Sequence, residues 1–262
     1  MIIQERETWL EAGDGRPLIL LHAFPLHAGM WRPQLERVPA GWRFIAPDLR
    51  GFGRNRVEAV PGSNGLDPYA ADVLALMDRL EIDRAVVAGL SMGGYIAFAM
   101  HRQAPERLAG LVLADTRSQA DTPEGREGRA KMRELLARDG PAAVATQMLP
   151  KLVSRHADPA LVAHVRRMIE GADPEAIDTA IAALMTRPDS TAGLAHIACP
   201  TLVVAGELDE ITPVADAEAM QRAIPRATLT VIPAAGHLSS LEQPERFSRA
   251  LTELLPMLQE PV

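Results

Sequence analysis

Ser91 sits at the centre of Gly89-Leu90-Ser91-Met92-Gly93, a G-x-S-x-G arrangement that follows an apolar run over residues 84–88 and precedes a helix-forming run over 95–102. A serine carried on so tight a turn between strand and helix is held in strained backbone geometry, with its hydroxyl clear of the sheet. Side chains two positions either way would collide, which accounts for glycine at 89 and 93, and Gly94 lets the helix pack close to the strand. With 8 serines and 19 glycines in 262 residues, chance gives roughly 0.04 such matches. The placement between strand and helix adds to that specificity.

A serine hydroxyl is a poor nucleophile at neutral pH and needs a base that is itself oriented. His237, in Ala235-Gly236-His237-Leu238, follows an apolar run over 228–232 and precedes a helix start at Pro244. Loops at the carboxyl ends of parallel strands converge on one rim, so this histidine can reach Ser91. The orienting acid is expected between the two, in the order serine, acid, histidine. The segment Gly206-Glu207-Leu208-Asp209-Glu210-Ile211-Thr212-Pro213 offers three carboxylates. Asp209 is the expected partner, with Glu207 and Glu210 pointing elsewhere on the turn. Asp115, at the end of another apolar run, is a competitor read as bonding nearby loop backbone. Acyl transfer also needs two N–H donors for the oxyanion, and losing one typically costs ~2.7–4 kcal/mol. Met92, next to the nucleophile, supplies one. Phe24, in His22-Ala23-Phe24-Pro25, supplies the other, since Pro25 has no N–H.

These loops require a particular scaffold. Short apolar runs over 17–22, 42–46, 84–88, 108–114, 201–205 and 228–232 read as strands, and most are continuous rather than alternating, as in a parallel sheet covered on both faces. The more polar stretch 2–11, ahead of Gly13-Asp14-Gly15, is expected to form an antiparallel edge hairpin. Asp67-Pro68, Thr212-Pro213 and Gln243-Pro244 read as capped helix starts. Alternating strands and helices imply right-handed crossovers in a doubly wound α/β sheet. Residues 117–195 break the alternation. They contain no β-branched run, and Thr122-Pro123, Gly140-Pro141, Asp158-Pro159 and Asp173-Pro174 mark four helix starts. Their 11 Lys/Arg and 11 Asp/Glu form a balanced outer surface, while Met132, Met148, Met168 and Met185 provide adaptable apolar packing.

Taken together, His22-Ala23-Phe24-Pro25, Asp48-Leu49-Arg50-Gly51-Phe52-Gly53, the turn at Ser91, Leu113-Ala114-Asp115-Thr116-Arg117, the segment 206–213, Gly236-His237 and Glu242-Gln243-Pro244-Glu245 resemble the α/β-hydrolase family over nearly the whole chain. Within it the chain is similar to small bacterial carboxylesterases and the 3-oxoadipate enol-lactonase branch. Ala23 stands where a glycine is usual, and Asn55 near where a serine often follows. The resemblance implies an α/β-hydrolase fold, a mostly parallel sheet with a helical cap inserted after the sixth strand. Residues 1–116 and 196–262 would form the catalytic core, and 117–195 the cap over the site.

The expected chemistry is hydrolysis of a carboxylic ester through an acyl-enzyme, on short to medium acyl groups, with no cofactor. Ile211 and Leu238, beside the catalytic residues, and Met148 are candidates for the pocket wall. An enol-lactone substrate stays open, because Arg117, Arg155 and Arg187 could meet its carboxylate. So do a perhydrolase or haloperoxidase-like activity of the same serine site, acyl transfer to an alcohol, and a non-catalytic binding protein on the same fold.

Other classes are disfavoured. At roughly 150 residues per domain, 262 residues suit a large core with an insertion. A formal charge of −7 and 4% aromatic residues give neither the basic stripe nor the stacking platform of a nucleic-acid binder. His101, His156, His164 and His196 lack partners at metal-ligand spacing, so no metal is expected. The single Cys199 excludes an intrachain disulfide, and neither an export signal nor a membrane span is evident. The expected setting is cytoplasmic, with a small-molecule ester or lactone as partner and the choice between monomer and homodimer open.

Overall fold

A computed structural model describes residues 2–56 and 65–255; 57–64 and 256–262, which the sequence assigns to the core, lie outside the described residues. The apolar runs become strands β1 (Gln4–Glu5), β2 (Trp9–Gly13), β3 (Arg16–Leu21), β4 (Trp42–Pro47), β5 (Ala85–Leu90), β6 (Leu108–Ala114), β7 (Thr201–Gly206) and β8 (Ala227–Ile232). They form one sheet in the order β1-β2-β4-β3-β5-β6-β7-β8. From β4 to β8 every pairing is parallel. All of β5 is buried, as expected for a strand with both faces covered, whereas the edge strand β8 is only partly so.

Helices α1 (Arg32–Leu35), α2 (Asp67–Arg79), α3 (Met92–Gln103), α4 (Pro123–Leu152), α5 (Pro159–Glu170), α6 (Pro174–Met185), α7 (Val214–Ala223), α8 (Ser239–Glu242) and α9 (Pro244–Leu254) follow in chain order. Helix α3 packs on β3, β5 and β6, while α7 and α9 pack on β7 and β8. The register aligns Leu21 with Gly89, Leu90 with Ala114, Ala114 with Val204 and Gly206 with Ile232. The carboxyl ends of five strands therefore share one rim, and the loops carrying Phe24, Ser91, Asp209 and His237 all leave from it.

Between β6 and β7 the chain is helical. Helix α4 breaks at Gly140, whose φ of 74° is non-helical, so Gly140-Pro141 divides it as the sequence leads one to expect. Thr122, Asp158 and Asp173 each accept a backbone N–H of the helix they precede. The buried side chains of this segment join the same apolar cluster as those of the sheet.

The antiparallel edge hairpin expected from 2–11 forms between β1 and β2, and β2 then pairs antiparallel with β4; other local expectations are corrected. Gly13-Asp14-Gly15 thus leads from β2 to a strand it does not pair with. Asp67 lies within α2 rather than capping it, and pairs with Arg102 at 2.9 Å. The helix expected at 95–102 starts at Met92, immediately after Ser91. Helix α7 begins at Val214 without a side-chain cap, because Thr212 is engaged elsewhere. Gln243 precedes α9 but its side chain does not cap it, and a short α8 stands ahead of it. None of the helices among the described residues is long and apolar enough to cross a membrane.

Where a cap bond is made, its loss is measurable. Asp173→Ala removes the acceptor for the Glu175 N–H, a bond of 2.9 Å, and should lower stability by ~1 kcal/mol. In thermal denaturation the midpoint is expected to drop by about 2–4 °C; an unchanged midpoint would show that the cap contributes nothing.

Candidate active site

Ser91 has φ 53° and ψ −111°, a conformation costly for a residue with a side chain and found where surrounding structure enforces it. Enforcement comes from three bonds: the Ser91 N–H donates to Ala114 O, and the Ser91 carbonyl accepts from Gly94 N–H and from Thr116 Oγ1–H, each at 2.9 Å. The glycines follow from space. A Cβ on Gly89 would stand 2.2 Å from the Gly93 carbonyl, one on Gly93 2.2 Å from Leu21 O, and one on Gly94 2.6 Å from the Thr116 side chain.

The three residues expected to act together meet. Ser91 Oγ lies 2.8 Å from His237 Nε2, and His237 Nδ1 lies 2.8 Å from Asp209 Oδ2. His237 and Asp209 are buried, the Asp209 side chain completely. Asp209 Oδ1 accepts the N–H groups of Ile211 at 2.8 Å and Thr212 at 3.0 Å, and Oδ2 also accepts the Thr212 hydroxyl at 2.6 Å. Burial works to raise the Asp209 pKa, but the electrostatic attraction of the His237 ring and the hydrogen bonds from His237 and Thr212 outweigh it and hold the carboxyl below its usual value. An ionised Asp209 only accepts, so His237 Nδ1 carries the proton and Nε2 accepts from Ser91. Glu207 and Glu210 are exposed, and Glu207 accepts the Ala234 N–H.

Asp115 bonds loop backbone, as read from the sequence: it accepts Gly206 N–H at 2.7 Å and also the Ser239 hydroxyl. Burial first, then the negative charge of Asp209, push its pKa well above the ordinary range. His22 is likewise a loop histidine. Burial lowers its pKa to about 4, and the neutral ring donates from Nδ1 to Ala23 O while Nε2 accepts from Leu49 N–H, both at 3.0 Å. This fixes the loop that carries Phe24, with Asp48 accepting Ala28 N–H at 2.9 Å and Phe52 edge-on to the rings of His22 and Phe24. Ala23, in the place of the usual glycine, donates its N–H to Met30 Sδ at 3.3 Å. Asn55 donates to Asp48 O at 2.9 Å.

Among the described residues no protein acceptor is found for the N–H of Phe24 or Met92. The Met92 amide opens α3, where unpaired N–H groups and the helix dipole favour negative charge. Of the three candidate wall residues, Met148 and Ile211 keep partial exposure while packed against the core, and Leu238 is fully buried. The contacts at the site that the sequence did not assign are those of Thr116, Thr212 and Glu242. The carboxylate of Glu242 accepts Gly236 N–H at 2.8 Å and Ser154 N–H at 2.9 Å. No spacing rule marks such bonds to distant backbone, although Glu242 stands in a segment on which the family resemblance rests.

Known proteins bear on this arrangement. The sequence model of the alpha/beta hydrolase fold family matches residues 16–244. The chain is 33% identical over 244 residues to a pimeloyl-[acyl-carrier protein] methyl ester esterase of Nitrosomonas europaea, across 90% of this chain and 94% of that protein. It is 30% identical over 233 residues to 3-oxoadipate enol-lactonase 1 of Acinetobacter baylyi, across 88% of this chain and 85% of that one. Among solved structures, a thermophilic esterase from Thermogutta terrifontis with malate bound superposes with a TM-score of 0.91 at 39% identity, covering 99% of this chain and 100% of the other.

The packing at the turn makes a sharp prediction. Because the Cβ in Gly93→Ala would press on the backbone oxygen of Leu21 at 2.2 Å, strand and helix must separate, at a cost of roughly 1–3 kcal/mol. Denaturant titration should give an earlier midpoint; a variant as stable as the parent would mean that the close approach is not needed.

Proposed function

The chain belongs to the α/β-hydrolase family, and from that premise we propose that it is a serine carboxylesterase acting on short to medium acyl esters through an acyl-enzyme. The carrying observation is the continuous chain of two 2.8 Å hydrogen bonds from Ser91 through His237 to a fully buried Asp209 side chain.

Ser91 Oγ attacks the acyl carbon while its proton passes to His237 Nε2, and the carbonyl electron pair moves onto oxygen, facing the Phe24 and Met92 N–H groups. Collapse of the tetrahedral adduct breaks the acyl–oxygen bond, and the departing alkoxide takes the proton from His237. Water then gives a proton to His237 and attacks the acyl-enzyme. Ser91 leaves with that proton as the acid is released. Asp209 holds the imidazole in the required tautomer and stabilises its cation. No cofactor enters these steps.

Met148 and Ile211, apolar and partly exposed, are assigned to the wall of the acyl pocket together with the buried Leu238, and the helical segment 117–195 acts as the cap. The similarity to two esterases supports an ester substrate. The arginines bear on the lactone alternative. Arg187 is buried and paired with Asp121 at 2.7 Å, and Arg117 approaches Asp216 at 3.4 Å. Arg155 lines a cleft of about 320 Å³ beside the Asp209 loop, together with the acidic Glu207 and Glu210. Two of the three cations are thus already matched and the third sits among acids, which favours a neutral ester over an anionic enol-lactone.

Ser91→Ala is expected to abolish hydrolysis of aryl esters and labelling by a fluorophosphonate, with the fold retained by circular dichroism. Substantial residual turnover would sink the assignment. A panel of aryl esters from acetate upward, run beside the enol-lactone, should show highest kcat/KM on the shorter acyl groups; a preference for the lactone would reverse the choice of substrate.

The pH dependence follows from Asp209. Its pKa is lowered, so the stabilisation it contributes is complete above the ordinary carboxylate value of ~3.9 and is lost only as pH falls through the lower folded value. The stability difference between the parent and Asp209→Asn should therefore stay constant above ~3.9 and shrink only below it. A difference in melting midpoint that already narrows above that pH would contradict the lowered value.

A further inference from the structure

The three residues of the site are held by different parts of the molecule. Ser91 is fixed from within the sheet, by Ala114 O and Thr116. Asp209 is fixed by its own turn, through Ile211 and Thr212. The backbone on either side of His237 is tied to the end of α4. The Leu238 N–H donates to Leu152 O at 2.9 Å. On the other side, Gly236 N–H donates to Glu242 Oε1 at 2.8 Å, and the second oxygen of the same carboxylate accepts Ser154 N–H at 2.9 Å.

We propose that Glu242 is the positioning residue that sets His237 against Ser91, by fastening the His237 loop to the end of α4. This rests on the reading of His237 as the base. A carboxylate suits the task because both its oxygens only accept, and it faces a backbone donor on each side. The contact is close: a Cβ on Gly236 would lie 2.7 Å from Ser154 N, 3.0 Å from Val153 C and 3.0 Å from Glu242 Oε1. Nothing larger than glycine fits between the loop and residues 153–154. The position of the imidazole relative to Ser91 is thereby set by where α4 ends, and a displacement of that end moves the base without moving the nucleophile.

Glu242→Gln tests this, since it keeps the shape and one acceptor oxygen but turns an NH₂ towards one of the two donors. On an aryl ester, kcat should fall roughly ten- to hundredfold, the scale of a small misplacement of a reacting group, with KM little changed. The low-field proton resonance of the His237–Asp209 hydrogen bond should shift or broaden. Glu245→Gln, an exposed change at the start of α9, should leave both as in the parent. A second variant, Glu242→Asp, keeps the charge but draws both acceptor oxygens back by one methylene from the Gly236 and Ser154 N–H groups, and should lose kcat in the same way with KM little changed. A Glu242→Gln protein with parental kcat and an unmoved resonance, or a Glu242→Asp protein with parental kcat, would overturn the proposal. Ser91→Ala run alongside separates the two levels. Turnover surviving there removes the reading of the triad, whereas turnover lost there but intact in Glu242→Gln removes only the positioning role.

Discussion

The hydrogen bond between Ser91 Oγ and His237 Nε2 joins residues 146 positions apart at 2.8 Å, and most of the architecture follows from the need to hold it. Neither partner can be placed by local structure alone. The serine needs a turn with positive φ and no side chains beside it, which only a strand passing straight into a helix supplies. The histidine needs a loop from another strand ending on the same rim. A parallel sheet meets both needs, because right-handed crossovers send every strand the same way and bring all carboxyl ends together. The backbone strain at Ser91 is sustained by the packing of β3, β5, β6 and α3 around it, with Thr116 and Ala114 binding both peptide groups of the serine.

Electrostatics at the acid end rest on two buried carboxylates with opposite tendencies. Asp209 gathers three donors besides the imidazole and is held below the usual range, whereas Asp115, also buried, is pushed well above it by desolvation and by the charge of Asp209. Two such groups close together cannot both ionise cheaply, and environment decides which carries the charge. Here it falls on the carboxylate that faces His237. Asp115 is left to tie the start of the Asp209 loop, through Gly206, to the helix after His237, through Ser239.

The parts of this arrangement legible in the sequence are those in which a residue type is forced by geometry. Glycine at 89 and 93 reports backbone contacts that admit no Cβ, glycine at 94 a close approach of the Thr116 side chain, and Thr122, Asp158 and Asp173 before proline report helix starts that the structure contains. Continuous apolar runs report strands covered on both faces. Less legible were the roles in which a common residue reaches a distant backbone group. Thr212 reads as a helix cap but its hydroxyl serves Asp209, and Asp67 reads as a cap but pairs with Arg102. Glu242 reads as one acidic residue among several, since the N–H groups of Gly236 and Ser154 that it binds have no side-chain signature. The antiparallel edge hairpin was legible in the polar stretch 2–11, whereas the pairing of β2 with β4 was not, because partner choice among strands depends on sheet order, which local pattern does not encode.

Two sets of contacts fix the inserted helical segment, one closing its own stem and one joining it to the His237 loop. At its stem, Ser190 N–H donates to Ser118 O at 2.8 Å, and the buried Arg187 donates to Leu184 O at 2.9 Å and Gln119 O at 3.1 Å. Its guanidinium pairs with Asp121 and lies 4.2 Å from the ring centre of Tyr95, one helical turn beyond Ser91. Removing one member of a buried ion pair leaves the other charge without compensation, a cost of several kcal/mol, so this end is expensive to open. The other attachment, at Leu152 and Ser154, consists of backbone hydrogen bonds to the His237 loop and to Glu242, each worth about 0.5–1.5 kcal/mol net, rising to about 1.5–3 where the acceptor is charged. The two ends are therefore unequal. The weaker set is the one beside His237, where Leu152 O accepts the Leu238 N–H and Glu242 accepts the Ser154 N–H.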